Sequence, residues 1–387
     1  MSKPHIHFSR EEFAQRQQRV REALAEKGLD GMLLFKIEDM YWLCGLDTDG
    51  FCIFHSMFIG VNGELTHVSR KADLANVKYS SVCEDIRIWV DNPDNPPANA
   101  IRDMLKSHGM QGKRIGVQYD TYGLTAQAYR QLVTALDGVC EMVDASDLIR
   151  LMRVVKSPKE LEYIRKAGEI CDEVMEKGIE MTMAGAYEGD ILAKMHGTLW
   201  KMDGDPPAHR WPMGSGDSAL LMRYTTGRKH IGENDQVTFE IGNGYRHYHA
   251  ASMAVVLTGP KIDPSYQRMH EACVETLEAI QSIMRPGNTV GDLYKVYVDS
   301  FTKHGFGHAH LNACGYTMGA TWPPTWMEHP MIIQNNPLVL EPNMTFFTHM
   351  ILVDPDTGST MSLGVQSIIH QDNLEMVTHP PRELIVH

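Results

Sequence analysis

The segment that decides the fold of this chain is Gln236-Val-Thr-Phe-Glu-Ile-Gly-Asn-Gly-Tyr-Arg-His-Tyr-His-Ala-Ala251. An apolar run with an acid before Ile-Gly predicts one strand, and a second apolar run ending at Leu257-Thr-Gly predicts its partner. We place the turn directly after Ile241-Gly, before the Tyr-x-x-Tyr pattern. His247 and His249 would then share one face of the second strand, because side chains alternate along a strand.

Length, charge and cysteine use limit the class of protein. The 387 residues suffice for two domains or one large one. A net charge of −13 argues against nucleic acid or an anionic membrane as a partner, because both need a basic surface. We find no apolar run of membrane-spanning length and no signal-peptide core at the N-terminus. Seven cysteines without a Cys-x-x-Cys pair suit reduced thiols, so we expect a cytoplasmic protein.

The first half of the sequence alternates predicted helices and strands. Residues 11–27 carry apolar side chains at helical spacing, whereas residues 32–35 and 51–61 are apolar runs typical of strands. Further strand ends are predicted near residues 116 and 142, with a helix between them. The pattern is that of an α/β domain, and it contains no glycine-rich loop for a nucleotide phosphate.

The boundary between two domains is predicted near Ser157-Pro-Lys-Glu160. Serine is a good N-cap, proline suits the first helical position, and the glutamate completes a capping box, so a helix should follow over residues 161–180. The hairpin comes next, followed by predicted helices over residues 265–284 and 290–303. We therefore predict domains at residues 1–154 and 155–387.

The order of these segments resembles the creatinase/aminopeptidase P/prolidase superfamily. Besides the hairpin, the matching elements are the Arg-x-x-Lys-Ser-x-x-Glu-Leu entry to the long helix, Pro286-Gly, Gly315-Tyr-Thr-Met-Gly and Leu340-Glu-Pro-Asn-Met. The resemblance implies an α+β protein. An N-terminal α/β creatinase-like domain would precede a C-terminal pita-bread domain with a curved, mostly antiparallel sheet flanked by helices.

The same resemblance implies where a metal site would lie. Metal-dependent members have ligands at five positions, which in this chain hold Glu240, Ala251, Tyr316, His349 and Val365, with Gln366 beside the last. Only the glutamate and the histidine have ligand chemistry, and two ligands are too few for a Mn, Co or Zn site. We therefore predict no metal and no other cofactor.

Within the superfamily the chain resembles the ectoine hydrolases, a metal-free branch that opens a cyclic amidine ring. The similar segments are Arg246-His-Tyr-His-Ala, residues 46–54, and residues 315–328 with their Pro-Pro-x-Trp-x-Glu sequence. The chain departs from that branch at Arg223, where those enzymes carry histidine, and from creatinase at Arg223 and Met253. The resemblance implies metal-independent hydrolysis of a non-peptide C–N bond in a small zwitterion.

Such hydrolysis needs an activated water, a proton donor for the leaving nitrogen and charge complementarity to the substrate. We predict Glu240, His249 and His349 as catalytic residues that converge on one cavity. The predicted substrate contacts are Arg223, which suits a carboxylate, and His247, Tyr316, Trp322, Trp326, Glu328, Phe51 and Phe54.

Two other functions remain open from the sequence: a metal-dependent Xaa-Pro peptidase, and a non-catalytic binder of a small molecule on the same fold. An unpartnered buried polar group costs about 1–3 kcal/mol, so a cluster of polar residues in the pocket favours a ligand over an inert scaffold. The superfamily also implies a homodimer in which the partner's N-terminal domain closes the active site, with residues 47–54 as the closing segment.

Overall fold

The computed structural model describes residues 4–221, 223, 227–354 and 356–387. The chain divides into two compact units, Met1–Arg153 and Val154–His387, each built on its own sheet. None of the helices in the described ranges is both long enough and apolar enough to span a bilayer.

The first unit is an α/β structure around a six-stranded mixed sheet in the order β4-β3-β2-β1-β5-β6. Its elements are α1 (Arg10–Glu26), β1 (Gly31–Leu34), α2 (Ile37–Cys44), β2 (Ser56–Gly60), β3 (Leu65–Arg70), α3 (Leu74–Ser80), β4 (Asp85–Trp89), α4 (Ala98–Ser107), β5 (Arg114–Val117), α5 (Ala126–Leu136), β6 (Glu141–Asp144) and α6 (Asp147–Met152). The predicted alternation of helices and strands is confirmed.

One strand of the first unit is shorter than predicted. We predicted a strand over residues 51–61, but only Ser56–Gly60 (β2) is a strand. A single 3-10 turn, Asp49–Cys52, precedes it. Thr48 Oγ1 accepts a hydrogen bond from the Gly50 N–H at 3.0 Å and so caps this turn. Phe51 therefore lies on a turn rather than on a strand.

The second unit is built on a nine-stranded, mostly antiparallel sheet. The order is β11-β10-β12-β13-β9-β8-β7, with β14 added to β13 and β15 to β9. Its elements are α7 (Pro158–Met181), α8 (Glu188–Lys201), β7 (Met213–Ser215), β8 (Gln236–Tyr245), β9 (Tyr248–Leu257), α9 (Pro264–Ile283), α10 (Val290–Lys303), β10 (Gly315–Thr317), β11 (Glu328–Met331), β12 (Thr345–Asp354), β13 (Ser359–Ile369), β14 (Leu374–Met376) and β15 (Ile385–Val386).

Helix α7 begins as its sequence predicts. Ser157 and Glu160 form the capping box, with the Ser157 hydroxyl accepting from the Glu160 N–H at 3.3 Å and the Glu160 carboxylate from the Ser157 N–H at 2.8 Å. The apolar face of α7, including Ile164, Ile170 and Val174, is fully buried, and the helix packs against β8 and β9. Helix α9 packs in the same way against β12 and β13.

The turn of the central hairpin lies later than predicted. Strand β8 continues through Gly242 to Tyr245, and Arg246 and His247 form the turn with φ values of 52° and 64°. Two consecutive residues with positive φ are typical of a type I′ turn, which glycine and asparagine normally occupy. Asp205 supports the turn, because its carboxylate accepts from the His247 N–H at 2.7 Å. His247 therefore does not share a strand face with His249.

Candidate active site

Glu240 and His349 lie on the same face of the large sheet. Glu240 is directly opposite Met253, Met253 opposite Gly364, and Gly364 opposite His349, which forms one row across β8, β9, β13 and β12. Directly opposed residues project from the same side of a sheet. A ring at Gly364 would not fit, because even a Cβ there would lie 2.5 Å from the Phe347 ring.

The sheet curves so strongly that side chains from distant strands meet. Tyr316 on β10 and Glu240 on β8 are four strand spacings apart, about 19 Å in a flat sheet. Nevertheless the Tyr316 hydroxyl donates a long hydrogen bond of 3.5 Å to Glu240 Oε1, and the Tyr316 ring lies 5.7 Å from the His349 ring. The structure therefore brings Glu240, Tyr316 and His349 together on the concave face.

The carboxyl group of Glu240 sits in apolar surroundings. A cavity of about 10 Å³ beside it, room for one water, is lined by side chains such as Leu221, Phe239 and Met253. Burial raises the pKa of Glu240 from 4.5 to about 7, although the charge of Arg223 and the bond from Tyr316 oppose that rise. Near neutral pH this carboxyl group can therefore both give and take a proton.

Arg223 is exposed and supplies the positive charge of the site. Its charge acts on Glu240, on Tyr316 and on a third residue, His209, in each case lowering the pKa of that group. The guanidinium group therefore lies near enough to interact electrostatically with all three groups.

Trp326 fills the space above the hairpin and orients Tyr316. Its Nε1–H donates to the Tyr316 oxygen at 2.9 Å, and its ring lies so close to Gly242 that a Cβ there would be 2.8 Å from it. Trp326 is 2% exposed, so it forms a buried wall of the site rather than a surface platform.

His349 is a buried, neutral imidazole in this wall. Its ring lies 5.8 Å from Phe347 and its backbone N–H donates to Cys314 at 2.9 Å. Burial lowers the pKa of His349 to about 4, and within the described residues its Nδ1 has no hydrogen-bond partner. A buried ring nitrogen without a partner is a position where a ligand or water gains a hydrogen bond.

His249 shares the face of Glu240, but its ring is committed elsewhere. Nε2 accepts from the Ala208 N–H at 3.0 Å, and Nδ1 donates to the His247 carbonyl at 2.7 Å. Burial lowers its pKa to about 4. A ring with both nitrogens engaged cannot shuttle protons without breaking these bonds, so the predicted catalytic role of His249 would require them to break.

The residues of this face do not fit a metal ion. Ala251 offers a methyl group, and the Trp326 ring occupies the space over neighbouring Gly242. The predicted position of the fifth ligand was wrong by one residue. Val365 packs in the core under α9, whereas the next residue, Gln366, faces the site. The Gln366 amide is already engaged, because it accepts from the Ala251 N–H and donates to His249 and Thr345 oxygens at 3.0–3.3 Å. Across the described ranges no three His, Cys, Asp or Glu side chains are grouped to hold a metal.

Of three further predicted contacts, Trp322 and Glu328 are buried in the structure and His247 is half-buried. The His247 ring stacks on Trp322 with centroids 3.9 Å apart, and Trp322 is only 2% exposed. Glu328 is 7% exposed and lies against the backbone of Gly319, where a Cβ would approach its carboxylate to 2.4 Å. These residues anchor the loop before β11 and the hairpin turn, and the structure does not present them as open ligand contacts.

The two predicted contacts of the first unit differ from each other. Phe54 packs against Phe35 and Trp89, with ring centroids 5.8 Å and 6.4 Å away, so it belongs to the core of that unit. Phe51 is half-buried on the 3-10 turn, next to Ile53, which is 40% exposed.

His209 is a residue of the site that the sequence did not indicate. Its Nδ1 lies 3.0 Å from the Pro324 carbonyl oxygen, and its ring meets the Trp326 ring edge-on at 5.5 Å. No motif or strand periodicity surrounds it in Ala208-His-Arg210, and only the fold shows that this loop borders the site.

A strongly curved antiparallel sheet flanked by helices, preceded in the chain by an α/β unit, defines the pita-bread class of proteins. The chain belongs to the metallopeptidase family M24, whose model matches residues 162–374, and residues 16–155 match the creatinase/prolidase N-terminal domain. It is 27% identical over 396 residues to the ectoine hydrolase of Halomonas elongata, covering 98% of both chains. It is 23% identical over 368 residues to a Xaa-Pro dipeptidase of Pyrococcus horikoshii, covering 94% of this chain and 97% of that one. The dipeptidase PepE of Mycobacterium ulcerans has the same fold, with a TM-score of 0.84 at 22% identity over 98% of this chain and 99% of that one.

Proposed function

We propose that this chain is a metal-independent hydrolase of a non-peptide C–N bond in a small zwitterion, namely ectoine or a related cyclic amidine. The observation that carries the proposal is Glu240. It is a half-buried carboxyl group with a pKa near 7, close to the arginine Arg223, on a face whose residues do not fit a metal. The end-to-end similarity to an ectoine hydrolase supports the choice of substrate class.

The charges of the site suit a zwitterion. Arg223 can bind a carboxylate through two parallel N–H donors. The protonated Glu240 carboxyl group can accept a hydrogen bond from an amidinium N–H through its carbonyl oxygen, and the apolar lining next to it strengthens this bond by excluding water. A substrate with both groups would be held at its two ends by these two residues.

The chemistry requires protons to move at two atoms. The oxygen of a water molecule bonds to the amidinium carbon, the ring C–N bond breaks, and both protons of the water finish on the leaving nitrogen. Glu240 is placed to carry them, because a group with a pKa near the working pH serves as acid and as base. Tyr316, held by Trp326, would orient the carboxyl group. The Nδ1 atom of His349, which has no partner among the described residues, would form a hydrogen bond with the substrate or a water. His249 would hold the loop at Ala208 in place.

A metal-dependent Xaa-Pro peptidase is the second candidate, favoured by the family and by the similarity to a Xaa-Pro dipeptidase. It requires ligands that Ala251 and Gln366 do not provide. A binder without catalysis is the third candidate, and it predicts that ectoine binds without turnover.

We further propose that the protein works as a cytoplasmic homodimer whose site is closed by the first unit of the partner. The seven cysteines are all free thiols, which suits a reducing compartment. Phe51 and Ile53 present apolar surface on an exposed turn, as a closing segment would. Closure matters because Glu240 acts best when bulk water is excluded.

The test is hydrolysis of ectoine by purified protein, followed by NMR of substrate and product, with and without EDTA. We expect turnover that EDTA leaves unchanged, and a loss of at least about a hundredfold in Glu240→Gln, the range expected when an acid–base group is removed. Glu375→Gln is the matched control, because Glu375 pairs with Arg165 and His370 outside the site. Hydrolysis of Xaa-Pro dipeptides restored by Mn²⁺ would establish the second candidate instead, and binding without turnover the third.

A further inference from the structure

The loop that carries His209 is fixed from both sides. On one side, the neutral ring of His249 accepts the N–H of Ala208 at 3.0 Å, directly before His209. On the other, Trp211 is buried and donates its Nε1–H to the Gly242 carbonyl at 2.9 Å. The buried His249 therefore fixes the backbone position of His209, a second and more accessible histidine.

The hydrogen bond to Pro324 defines the tautomer of His209. A carbonyl oxygen only accepts, so the proton of the neutral ring resides on Nδ1, at 3.0 Å from that oxygen. Nε2 then carries the lone pair of the ring. The side chain is half-buried, and within the described residues Nε2 has no hydrogen-bond partner, so this nitrogen can bind a water or a substrate, unlike the ring nitrogens of His249.

The surroundings of His209 connect it with Glu240. The edge-on Trp326 ring donates to Tyr316, and Tyr316 donates to Glu240. The charge of Arg223 acts on both His209 and Glu240. Glu240 and His209 are therefore linked through the contacts of Trp326 and Tyr316, and both lie within electrostatic reach of Arg223.

We propose that His209 is a catalytic base of the hydrolase, with Nε2 taking the first proton from the attacking water while Glu240 protonates the leaving nitrogen. This inference rests on the proposed function. The imidazolium ring returns its proton to the Glu240 carboxylate before the next turnover, and the remaining hydroxyl proton follows to the released amine as the carbonyl forms. The water thus adds across the C–N bond and both side chains return to their starting states.

The assignment predicts the shape of the pH profile. Burial lowers the pKa of His209 below 6.5, and the charges of Arg210 and Arg223 lower it further, whereas the bond to Pro324 opposes this. His209 is then neutral at pH 7 and able to accept a proton, and activity falls as the pH drops through its pKa. Glu240 must be protonated, so activity also falls as the pH rises through about 7.

The experiment compares the wild-type protein with His209→Gln and His209→Ala on ectoine between pH 5 and 9. We expect kcat to fall about 10²–10⁴-fold in both variants, with KM changed less than about threefold, and the acid limb of the profile to disappear. Added imidazole should restore rate to His209→Ala in proportion to its concentration. His196→Gln is the control, because the His196 ring also contacts a tryptophan, stacking on Trp211 at 4.2 Å, and this variant should keep both limbs.

The outcomes separate this inference from the proposed function. If wild-type protein hydrolyses ectoine and His209→Gln retains its rate and acid limb, His209 is not the base although the function stands. If wild-type protein does not hydrolyse ectoine, both the proposed function and the assignment of His209 as its base are refuted. Nitrogen-15 NMR of the wild-type protein gives an independent reading: a proton on Nδ1 of His209 supports the inference, and a proton on Nε2 overturns it.

Discussion

Replacing Glu240 with glutamine should stabilise the protein at alkaline pH while slowing hydrolysis at least about a hundredfold. In the unfolded chain this carboxyl group ionises at its ordinary value of 4.5, but in the folded chain burial raises its pKa to about 7. Between these values the folded state binds the extra proton, so stability falls as the pH rises from about 4.5 to 7 and stays reduced above that. Glutamine resembles the protonated side chain and carries no such penalty.

The size of the effect follows from the two pKa values. They differ by about 2.5, and 1.36 kcal/mol for each pH unit gives a penalty of about 3 kcal/mol above pH 7. This is an upper bound, because the side chain is only half-buried and solvent screens part of its charge. For a unit of this size 1 kcal/mol corresponds to about 2–4 °C, so Glu240→Gln should melt up to about 6–12 °C above wild type at pH 8.5 and close to it at pH 4.

The assay is thermal unfolding followed by tryptophan fluorescence at pH 4, 6 and 8.5, because Trp211 and Trp326 contact Gly242, two residues from Glu240 on β8. Glu375→Gln provides a control of opposite sign. Hydrogen bonds from Arg165 and His370 lower the pKa of Glu375 to about 2, so its stabilising contribution is present above 4.5 and is lost as the pH falls towards 2. This variant should therefore melt below wild type at pH 8.5.

The decisive quantity is the difference between Glu240→Gln and wild type as a function of pH. A difference that stays constant from pH 4 to 8.5 would refute the reasoning, because it would mean that Glu240 ionises alike in folded and unfolded chains. The proposed chemistry would then lose its proton donor.

Three other changes test separate parts of the site. Gln366→Ala should lower the free energy of unfolding by about 2 kcal/mol or more, because it leaves buried groups such as the Ala251 N–H without a partner; a loss below 0.5 kcal/mol in denaturant titration would contradict this. Arg223→Ala should raise KM for ectoine about tenfold or more with a smaller change in kcat, and Arg223→Lys should recover part of it; unchanged KM would remove Arg223 from the substrate. Analytical ultracentrifugation should show a dimer that Phe51→Asp weakens, and a fully active monomer would exclude closure by a partner.

The parts of the fold that the sequence predicted are those that depend on neighbouring residues. The capping box at Ser157 and the α10 helix follow from side chains three or four residues apart, and both were found where predicted. The hairpin turn was misplaced because Arg246 and His247 are held at positive φ by Asp205, a residue 42 positions away. Likewise Val365 was chosen over Gln366 because an error of one residue in a strand moves a side chain to the other face.

The histidines show why the site itself needed the structure. His249 lies in the recognisable hairpin and was predicted to be catalytic, but both of its ring nitrogens form hydrogen bonds with backbone groups. His209 lies in a loop without a motif, yet a carbonyl oxygen fixes its Nδ1 proton, and no described residue forms a hydrogen bond with its Nε2. Whether an imidazole can exchange protons is decided by such partners, which come from residues 41 and 115 positions away in these two cases. Residue type and strand position therefore predict that a polar site exists on this face, whereas the hydrogen-bond partners determine which of its histidines is free to react.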